Sequence, residues 1–320
     1  KLLVDEKDTL TDFEEISMDR VIQKARAYLK VQEGCEQFCT YCIIPYARGP
    51  LRSRSMENTL QEARKLEKAG FREIILTGIH LGAYGKPGEA EAAMGKVQEV
   101  TLADLCEMLL NETSFERIRL SSIEPTEVDD HLLRLFAENR RMCRHLHLPL
   151  QAGDDSVLET MHRPYNTEQY RQEMARIRAA VPGIALSTDL MVGFPGETDE
   201  EFNETMAFVD KAQFLKVHVF PYSERSGTVA AQMEQIPHPV REKRAAELLR
   251  KTEEIAKKVE DGFIGKTLDV LFEQSDEEYT EGLAGNYLRI FVQRDESLEG
   301  KIRRVKIKER KEDRLFGKVE

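Results

Sequence analysis

The stretch "GCEQFCTYCIIPYARG" contains three cysteines, with no fourth nearby: Cys35, Cys39 and Cys42. Thiolates at such short spacing are typical ligands of zinc or of an iron–sulfur cluster. A structural zinc ion takes four protein ligands, so a zinc site would need a further one, such as His80 or His147. A cluster of four irons offers another solution, in which three irons take the thiolates and the fourth is left open for a substrate or cofactor.

The other two cysteines are predicted to be buried core thiols. Cys106 lies among apolar residues in a helical pattern, and Cys143 just precedes a predicted strand. Buried thiols behave as small apolar side chains. Five cysteines in 320 residues, three of them clustered, therefore indicate intracellular metal binding rather than a disulfide framework.

Six short apolar runs alternate with helical patterns and are predicted to be strands. These runs are Tyr28–Gln32, Glu73–Thr77, Arg117–Ser121, His145–Leu148, Ile184–Leu190 and Lys216–Phe220. Helices are predicted over 56–70, 101–112, 127–139, 166–180, 198–212 and 239–259. Such alternation predicts a parallel sheet built by right-handed crossovers. Because only six strands fit, and a closed eight-stranded barrel needs about 250 residues, we predict an open, partial (β/α)₆ barrel.

The predicted fold places the cysteines where chemistry usually occurs. In barrels and doubly wound sheets the reactive groups lie at the carboxyl ends of the strands. The three cysteines directly follow the first predicted strand, so we expect them at that end. Residues 88–99 interrupt the second unit and are predicted to be a surface loop.

Beyond Asp261 the apolar period changes to two, which predicts a small antiparallel β domain. Its predicted strands are "GKTLDVLFEQ", "NYLRIFVQ", "KIRRVKIK" and "RLFGKVE". In the third strand Lys306 and Lys308 alternate with apolar residues and share one face; protection of an edge strand is the alternative interpretation. The predicted division is 1–27 as a linker remnant, 28–238 as the barrel, 239–260 as a connecting helix and 261–320 as the β domain.

Charge is unevenly distributed along the chain. The formal net charge is −11, but residues 301–320 hold nine Lys/Arg against four Asp/Glu, which gives +5 there and −16 elsewhere. An acidic body with a basic end suits contact with a polyanion at one place, although a solvated charged strand explains it equally well. The sequence has no apolar run of about 18 residues and no apolar signal-peptide core at its start, so we expect neither a membrane span nor secretion. Reduced thiols, together with the substrate implied below, predict a cytoplasmic protein.

The C-x₃-C-x₂-C spacing, with Tyr41 before the last cysteine, resembles the signature of radical S-adenosylmethionine (SAM) enzymes. The stretches "GCEQFCTYCIIPYARGPLRSRS", "HLHLPLQAGDDSVLETMHRPY" and "STDLMVGFPGETDEEF" together resemble the methylthiotransferases. The terminal β domain is similar to their TRAM domain, an RNA-binding module. The resemblance covers nearly the whole chain from about residue 27 onwards.

The resemblance implies one [4Fe–4S] cluster on the three cysteines, whose fourth iron binds the amino and carboxylate groups of SAM. One electron from the reduced cluster would cleave SAM and yield a deoxyadenosyl radical, which takes hydrogen from an unactivated carbon. Residues at the strand ends would bind SAM, although a turn or cap role is the alternative for each. The candidates are Tyr41, Gly78, His80, Gln151, Ser187, Asp189 and Gly193. The second strand departs from the family's Gly-Gly-Glu-like pattern, since it ends in Thr77-Gly78-Ile79-His80.

Residues 121–128, "SSIEPTEV", resemble the branch that acts on N6-threonylcarbamoyladenosine beside the tRNA anticodon. The isopentenyladenosine branch tends to have His-Pro there, and a third branch modifies an aspartate of a ribosomal protein. The carboxylate of the threonylcarbamoyl group predicts a cation in the pocket, such as Arg163 or Arg225. Further basic residues are candidates for RNA contacts, with pairing to acidic groups or to the cluster as the alternative for the first three: Arg48, Arg52, Arg54, Arg303, Lys306 and Lys308.

The implied partners are tRNA, through its anticodon loop, and a reducing electron donor such as a flavodoxin or ferredoxin. The resemblance implies that complete family members carry a second [4Fe–4S] cluster in an N-terminal domain, and we expect this chain to lack that domain. We therefore expect a fragment that begins in the interdomain linker, cleaves SAM and does not complete methylthiolation. A non-catalytic RNA-binding protein with a structural zinc ion at the three cysteines is the alternative from a different class.

Overall fold

The computed structural model describes Phe13 and residues 25–320. Strands and helices alternate from Arg26 to Asp261, as the apolar patterns predict. The strands of this part are β1 (Arg26–Glu33), β2 (Arg52–Ser53), β3 (Glu73–Gly78), β4 (Arg117–Leu120), β5 (His145–His147), β6 (Ala185–Val192) and β7 (Lys216–Pro221). The helices are α1 (Ile44–Arg48), α2 (Met56–Lys68), α3 (Glu89–Ala93), α4 (Leu102–Glu112), α5 (Asp130–Glu138), α6 (Asp155–Thr160), α7 (Thr167–Ala180), α8 (Asp199–Ala212) and α9 (His238–Asp261).

The strands form an open, curled parallel sheet in two sections. One section has the order β2-β1-β3-β4 and the other β5-β6-β7. Single bridges from Ile118 to Met142 and from Ser122 to His147 join the two sections between β4 and β5. The prediction of an open, partial barrel is thus confirmed. The short β2, which pairs antiparallel to β1, was not predicted, and the predicted loop over 88–99 contains the single-turn helix α3.

Local signals in the sequence account for the helices. The hydroxyl of Thr198 accepts from the backbone N–H of Glu201, whose carboxylate accepts from the Thr198 N–H in return, and this capping box begins α8. Thr101 and Asp104 form the same arrangement at α4. Buried residues on the inner faces of the helices join those of the strands in one large apolar core. None of the helices in the described part is long and apolar enough to cross a membrane.

A separate closed β-barrel follows α9. Its strands are β8 (Thr267–Ser275), β9 (Tyr279–Ala284), β10 (Arg289–Gln293), β11 (Ile302–Lys311) and β12 (Arg314–Val319). Their order is β10-β12-β11-β8-β9, and β10 pairs in parallel with β12. The prediction of four antiparallel strands was wrong in two respects, because β9 was missed and one pair is parallel. The sequence of β9, "YTEGLA", lacks a period-two apolar pattern, which explains the omission.

A buried ion-pair network joins the base of the parallel sheet to the β-barrel. Glu73 is fully buried, with its carboxylate 2.6 Å from the Arg119 Nε and 3.5 Å from Arg117. Arg117 also donates to the carbonyls of Leu283 and Asp269, at 2.8 and 2.6 Å. Burial alone would raise the pKa of Glu73, but Arg119 and Arg117 outweigh it and hold the pKa below its usual value. The ionised carboxylate therefore stabilises the fold above the ordinary Glu pKa, and this stabilisation is lost as the pH falls through the lowered value.

Replacing Arg119 with Met should destabilise the protein by about 3–5 kcal/mol, because it leaves the Glu73 charge buried with weaker compensation. Urea denaturation at neutral pH measures the change. The matched control is Arg64→Met, which breaks an ion pair with Glu112 whose two side chains are about half exposed and should cost less than about 1 kcal/mol. Equal losses in the two variants would contradict the structural role given to the network.

Candidate metal centre and the cavity beneath it

The loop that follows β1 carries the three clustered cysteines at the carboxyl end of the parallel sheet. Gly34 begins this loop with φ +75°, and a Cβ there would lie 1.7 Å from the Pro50 carbonyl oxygen, so only glycine fits. The Cys35 N–H donates to the Gly49 carbonyl at 3.2 Å. Thr40, in the middle of the loop, donates to the Met161 carbonyl at 3.1 Å. The loop is therefore held by hydrogen bonds from two different segments of the chain, and it lies after β1, where the sequence places it.

Two of the three thiols are half-buried, and Cys39 is buried. Burial raises the pKa of the Cys39 thiol, while the neighbouring Arg163 guanidinium and the Tyr41 hydroxyl act in the opposite direction. Burial also raises the pKa of Cys42, against a backbone N–H at Ile44. Thiols held in this way need nearby positive charge, or a metal, to lose their protons.

Arg163 supplies positive charge beside Cys39. Its Nη1 donates to the Cys39 Sγ at 3.3 Å, and its Nη2 lies 2.5 Å from the Glu124 carboxylate and 2.6 Å from the Tyr165 hydroxyl. Only 3% of the Arg163 side chain is exposed. The interpretation of Arg163 as a cation for the substrate carboxylate needs correction, because its donors are used inside the protein next to the cysteine loop.

His80 supplies positive charge beside Cys35. Its Nδ1 lies 3.7 Å from the Cys35 Sγ, and its Nε2 lies 3.1 Å from Glu127, which Lys86 contacts at 2.8 Å. Burial alone would lower the pKa of His80, but the Cys35 sulfur and the Glu127 carboxylate raise it to about 10. The imidazole is therefore charged at neutral pH. The predicted SAM-binding residue His80 thus faces the cysteine loop.

Glu124 and Glu127 both belong to the segment "SSIEPTEV". In the sequence analysis this segment served only to predict which modified adenosine is the substrate. In the structure, their carboxylates orient the two cations beside the thiols. A signal for this role was present in the sequence, since two acidic residues three apart follow the carboxyl end of a strand. Arginine or histidine partners for buried carboxylates are the usual consequence of such placement.

Several predicted SAM-binding residues lie at the carboxyl ends of their strands. Gly78 ends β3 and pairs in register with Gln32, whose amide oxygen accepts from the His80 N–H at 2.7 Å. Gln151 bridges to Leu190 through its backbone, at φ +75°. The Gly193 N–H donates to the buried Glu197 carboxylate at 2.6 Å.

The carboxyl ends of the strands form a rim. Below this rim, the curled sheet surrounds a cavity of about 390 Å³. Its lining includes Ser187 and Asp189, both predicted as SAM contacts, together with His147 and His218. The Ser187 hydroxyl lies 2.9 Å from His145 Nε2 and 2.9 Å from His147 Nδ1. Ser187 is therefore engaged by the two histidines, which alternate along β5 and point to the same face. From the sequence, His147 was predicted only as a possible zinc ligand, and no role was predicted for His145. The H-x-H pattern was a usable signal, because alternate residues of a strand lie on the same face.

The arginines after the cysteine loop differ in exposure. Arg48 is exposed and lies 3.4 Å from Glu33. Arg52 and Arg54 are buried, at 8% and 3% exposure. Their burial contradicts the predicted phosphate contacts for these two residues and suits the alternative interpretation, pairing within the protein.

The basic strand of the β-barrel matches its predicted alternation. Val305 and Ile307 are buried in the barrel core, Lys306 is half-buried, and Lys308 and Arg303 are exposed. Lys306 lies opposite Lys318 on β12, which adds a further positive charge to that face. The exposed face of β11 is thus basic.

Side chains that converge closely enough for a single metal ion lie elsewhere in the described residues. His147, Asp189 and His218 form one such group and Asp104, Glu107 and His131 another, each with ligand atoms within 4.8 Å of one another. Neither group includes a cysteine. The thiol loop is instead flanked by the buried guanidinium of Arg163 and the half-buried imidazole of His80, which suits an anionic thiolate-bound cluster better than a neutral arrangement.

Two known proteins are similar in sequence to this chain over most of its length. The chain is 38% identical over 302 residues to the threonylcarbamoyladenosine tRNA methylthiotransferase MtaB of Bacillus subtilis, covering 92% of this chain and 65% of that protein. It is 39% identical over 300 residues to the tRNA-2-methylthio-N(6)-dimethylallyladenosine synthase of Acetivibrio thermocellus, covering 92% and 60%. This chain thus spans less than two thirds of the length of either relative.

The chain also resembles a solved structure in its fold and matches a protein-family model over more than half of its length. The radical S-adenosylmethionine methyltransferase TsrM of Kitasatospora setae, with cobalamin and a [4Fe-4S] cluster bound, matches with a TM-score of 0.50 at 17% identity, over 64% of this chain and 38% of that one. The description of the radical SAM superfamily matches residues 29–209, more than half of the chain. The superfamily implies a [4Fe–4S] cluster and SAM, and a loop of three thiols at the sheet's carboxyl end is a donor set that fits them. This chain belongs to the radical SAM superfamily.

Proposed function

We propose that this chain is the radical SAM and RNA-binding part of a tRNA methylthiotransferase that adds a methylthio group to C2 of N6-threonylcarbamoyladenosine next to the anticodon. The observation that carries the proposal is the 38% identity, over 92% of the chain, to a protein named for that nucleoside. The three-thiol loop, with the cations of Arg163 and His80 beside it, supports the radical chemistry.

Cys35, Cys39 and Cys42 would hold a [4Fe–4S] cluster through three of its irons and leave the fourth for SAM. When bound and reduced, the cluster supplies the electron that cleaves SAM. Arg163 and His80 offset the negative charge of the thiolates from within the protein. Such hydrogen bonds and charges at the sulfurs are the protein's means of tuning a cluster's potential.

The rim of the sheet would bind SAM. Tyr41 in the cysteine loop, Gly78 at the end of β3, and Gln151 and Gly193 in the segments after β5 and β6 would offer backbone groups and short side chains to a ribose and an ammonium group. The cavity beneath would orient the reacting carbon, and the walls of the curled sheet would limit the access of bulk water to it. Orientation and exclusion of water are the contributions that a protein makes to cofactor-driven radical chemistry.

The basic face of β11 would contact tRNA phosphates. Lys306 and Lys308 on this face, and the exposed Arg303 nearer the start of β11, would provide sequence-independent positioning, and the exposed Arg48 after the cysteine loop is a further candidate. We further propose that a flavodoxin or ferredoxin supplies electrons in the cytoplasm. The second [4Fe–4S] cluster, the sulfur source, would belong to a part of the full-length protein beyond this chain. We treat the β-barrel as a TRAM domain because of its closed form and its basic strand.

The second candidate substrate is N6-dimethylallyladenosine, favoured by the 39% identity to a synthase named for it. A cation for the threonylcarbamoyl carboxylate separates the two. Because Arg163 is used within the protein, Arg225 is the better candidate: it is exposed on the loop after β7. Its guanidinium suits a carboxylate through paired hydrogen bonds.

The loss of any one clustered cysteine should remove the cluster. In Cys35→Ser, Cys39→Ser and Cys42→Ser the anaerobically purified protein should fall from about four irons and four sulfides per chain to near none, since three thiolates are the full protein ligand set. Iron and sulfide analysis measures the change. The matched controls are Cys106→Ser and Cys143→Ser, whose thiols are buried in the core at 0% and 3% exposure. Iron retained in the first set, or lost in the controls, would contradict the ligand assignment.

The chain should cleave SAM under reduction without forming methylthiolated nucleoside. Deoxyadenosine release should increase more with an anticodon stem-loop that carries N6-threonylcarbamoyladenosine than with one that carries N6-dimethylallyladenosine, because only the former offers a carboxylate. The Arg225→Ala variant should lose about 1–3 kcal/mol of that preference, the usual range for a charge-assisted hydrogen bond. Chromatography measures both outcomes, the deoxyadenosine that is released and any methylthiolated nucleoside that is formed.

The control for this experiment is Arg289→Ala, a change at an exposed arginine that pairs with Glu281 on the β-barrel. It should leave both rates unchanged. Methylthiolated product formed by this chain alone would contradict the proposed division of labour. An equal response to the two stem-loops would contradict the threonylcarbamoyl assignment and leave the radical chemistry standing.

A further inference from the structure

The cavity beneath the rim presents aromatic faces that the protein leaves uncovered. Tyr28 on β1 is 60% exposed and Phe220 on β7 is 51% exposed, although both line the cavity. In the sheet, β1 pairs with β2 and β3, and β7 pairs with β6, so the two rings belong to the first and last parallel strands. Exposed aromatic faces inside a concave site are suited to stacking on a planar ligand.

One wall of the same cavity is a chain of polar side chains that ends in a carboxylate. His145 Nε2 lies 2.9 Å from the Ser187 Oγ, which lies 2.9 Å from His147 Nδ1. His147 Nε2 lies 3.2 Å from Asp189 Oδ2. His218 stands beside this pair, with its ring centroid 5.7 Å from that of His147.

The donor and acceptor roles in this series of hydrogen bonds follow from the protonation of His145. Burial, together with the positive charge of Arg119, lowers the pKa of His145 well below its usual value, so the ring is neutral. Its Nδ1 is buried without a hydrogen-bond partner. An unpaired lone pair there costs less than an unpaired N–H, so we assign the proton to Nε2 as a donor to Ser187. Ser187 then donates to His147 Nδ1, and the His147 Nε2–H faces Asp189.

A residue of the β-barrel holds His145, the first member of this hydrogen-bonded series. Tyr287 stacks on His145, with ring centroids 4.4 Å apart and planes inclined by 15°. The Arg119 guanidinium lies 5.2 Å from the centroid of the Tyr287 ring. Tyr287 itself has φ +71°, a strained conformation for a residue with a side chain. A residue of the second domain therefore completes the floor of the cavity.

This arrangement leaves Asp189 as a hydrogen-bond acceptor in the cavity. Its side chain is 27% exposed, and a carboxylate that receives one N–H keeps further lone pairs for a ligand. A carboxylate accepts from an N–H group and repels a carbonyl oxygen. The cavity volume lies within the range of roughly 300–1,000 Å³ that is typical of small-molecule sites.

We propose that this cavity receives the target purine, turned out of the anticodon loop, that its ring stacks on Tyr28 and Phe220, and that the Asp189 carboxylate accepts the N6–H of the base. The inference rests on the proposed function and adds the residues that read the base. Enzymes that modify a base must take it out of the stack, and they identify it by stacking and by hydrogen bonds to its edge. Asp189 would distinguish adenine, which has an N–H at position 6, from a base with a carbonyl oxygen there.

The test compares two RNA stem-loops that differ only in adenosine or inosine at the target position. The wild-type chain should bind the adenosine loop more tightly by about fivefold to a hundredfold, the range for one well-placed recognition contact. Asp189→Asn should lose this preference or reverse it, because an amide can donate to the inosine carbonyl oxygen. Phe220→Leu should weaken both loops alike and keep the preference, since stacking does not read position 6. Fluorescence anisotropy of labelled RNA measures all six affinities, two stem-loops with each of the three proteins.

The matched control is Glu107→Gln, which changes an exposed acidic residue in the other histidine–carboxylate group. It should preserve the preference of the wild-type chain. A preference that survives Asp189→Asn, or a wild-type chain that binds both loops equally, would overturn the inference while RNA binding stands. A wild-type chain that binds neither loop would overturn the RNA-binding part of the proposed function as well.

A second measurement examines a metal at the same residues. His147, Asp189 and His218 converge closely enough to hold a divalent cation. A variant with serine at Cys35, Cys39 and Cys42 removes the competing thiols, and calorimetric titration with Zn²⁺ or Mn²⁺ then reports on this group alone. We expect no binding that depends on Asp189. One ion per chain that is lost in Asp189→Asn and retained in Glu107→Gln would assign the group to a cation and overturn the inference.

Discussion

The structure around the cysteine loop depends on charge compensation in a buried place. Three thiols lie together at the mouth of the sheet, and burial raises the pKa of two of them. Arg163 and His80 bring positive charge to Cys39 and Cys35, and each cation is held by a carboxylate from residues 121–128. A buried anionic centre without such partners would be costly. Segments far apart in the sequence thus meet at the cysteine loop, because the thiols need neighbouring cations and these cations need carboxylate partners.

A second buried network determines how the two domains meet. Glu73, Arg117 and Arg119 connect the base of the parallel sheet to backbone carbonyls of the β-barrel. Removing one partner from such a network leaves a buried charge, so the junction is strongly specified in geometry. Tyr287 is consequently held under His145, and the β-barrel contributes to the cavity as well as presenting its basic strand.

The alternation of strands and helices, the period of two beyond Asp261 and the position of the three cysteines could all be predicted, because each depends on local pattern. The strand β9 could not, since its residues carry no period-two signal. The role of Arg163 was also wrong as predicted. A sequence places an arginine after a helix, but only the folded chain shows that its guanidinium turns inward to Cys39, Glu124 and Tyr165. Likewise, the burial of Arg52 and Arg54 depends on packing between distant segments. Contacts of this kind arise from tertiary structure, which local spacing does not encode.

The proposed metal centre has three protein thiolates and one iron that is left open for SAM. Electron paramagnetic resonance of the reduced, anaerobically purified protein, recorded with and without SAM, tests it most directly. We expect the signal of a reduced [4Fe–4S] cluster whose shape changes when SAM is added, because SAM would bind the iron that lacks a cysteine ligand. A cluster signal that SAM leaves unchanged, or a protein that contains zinc and gives no such signal, would contradict it.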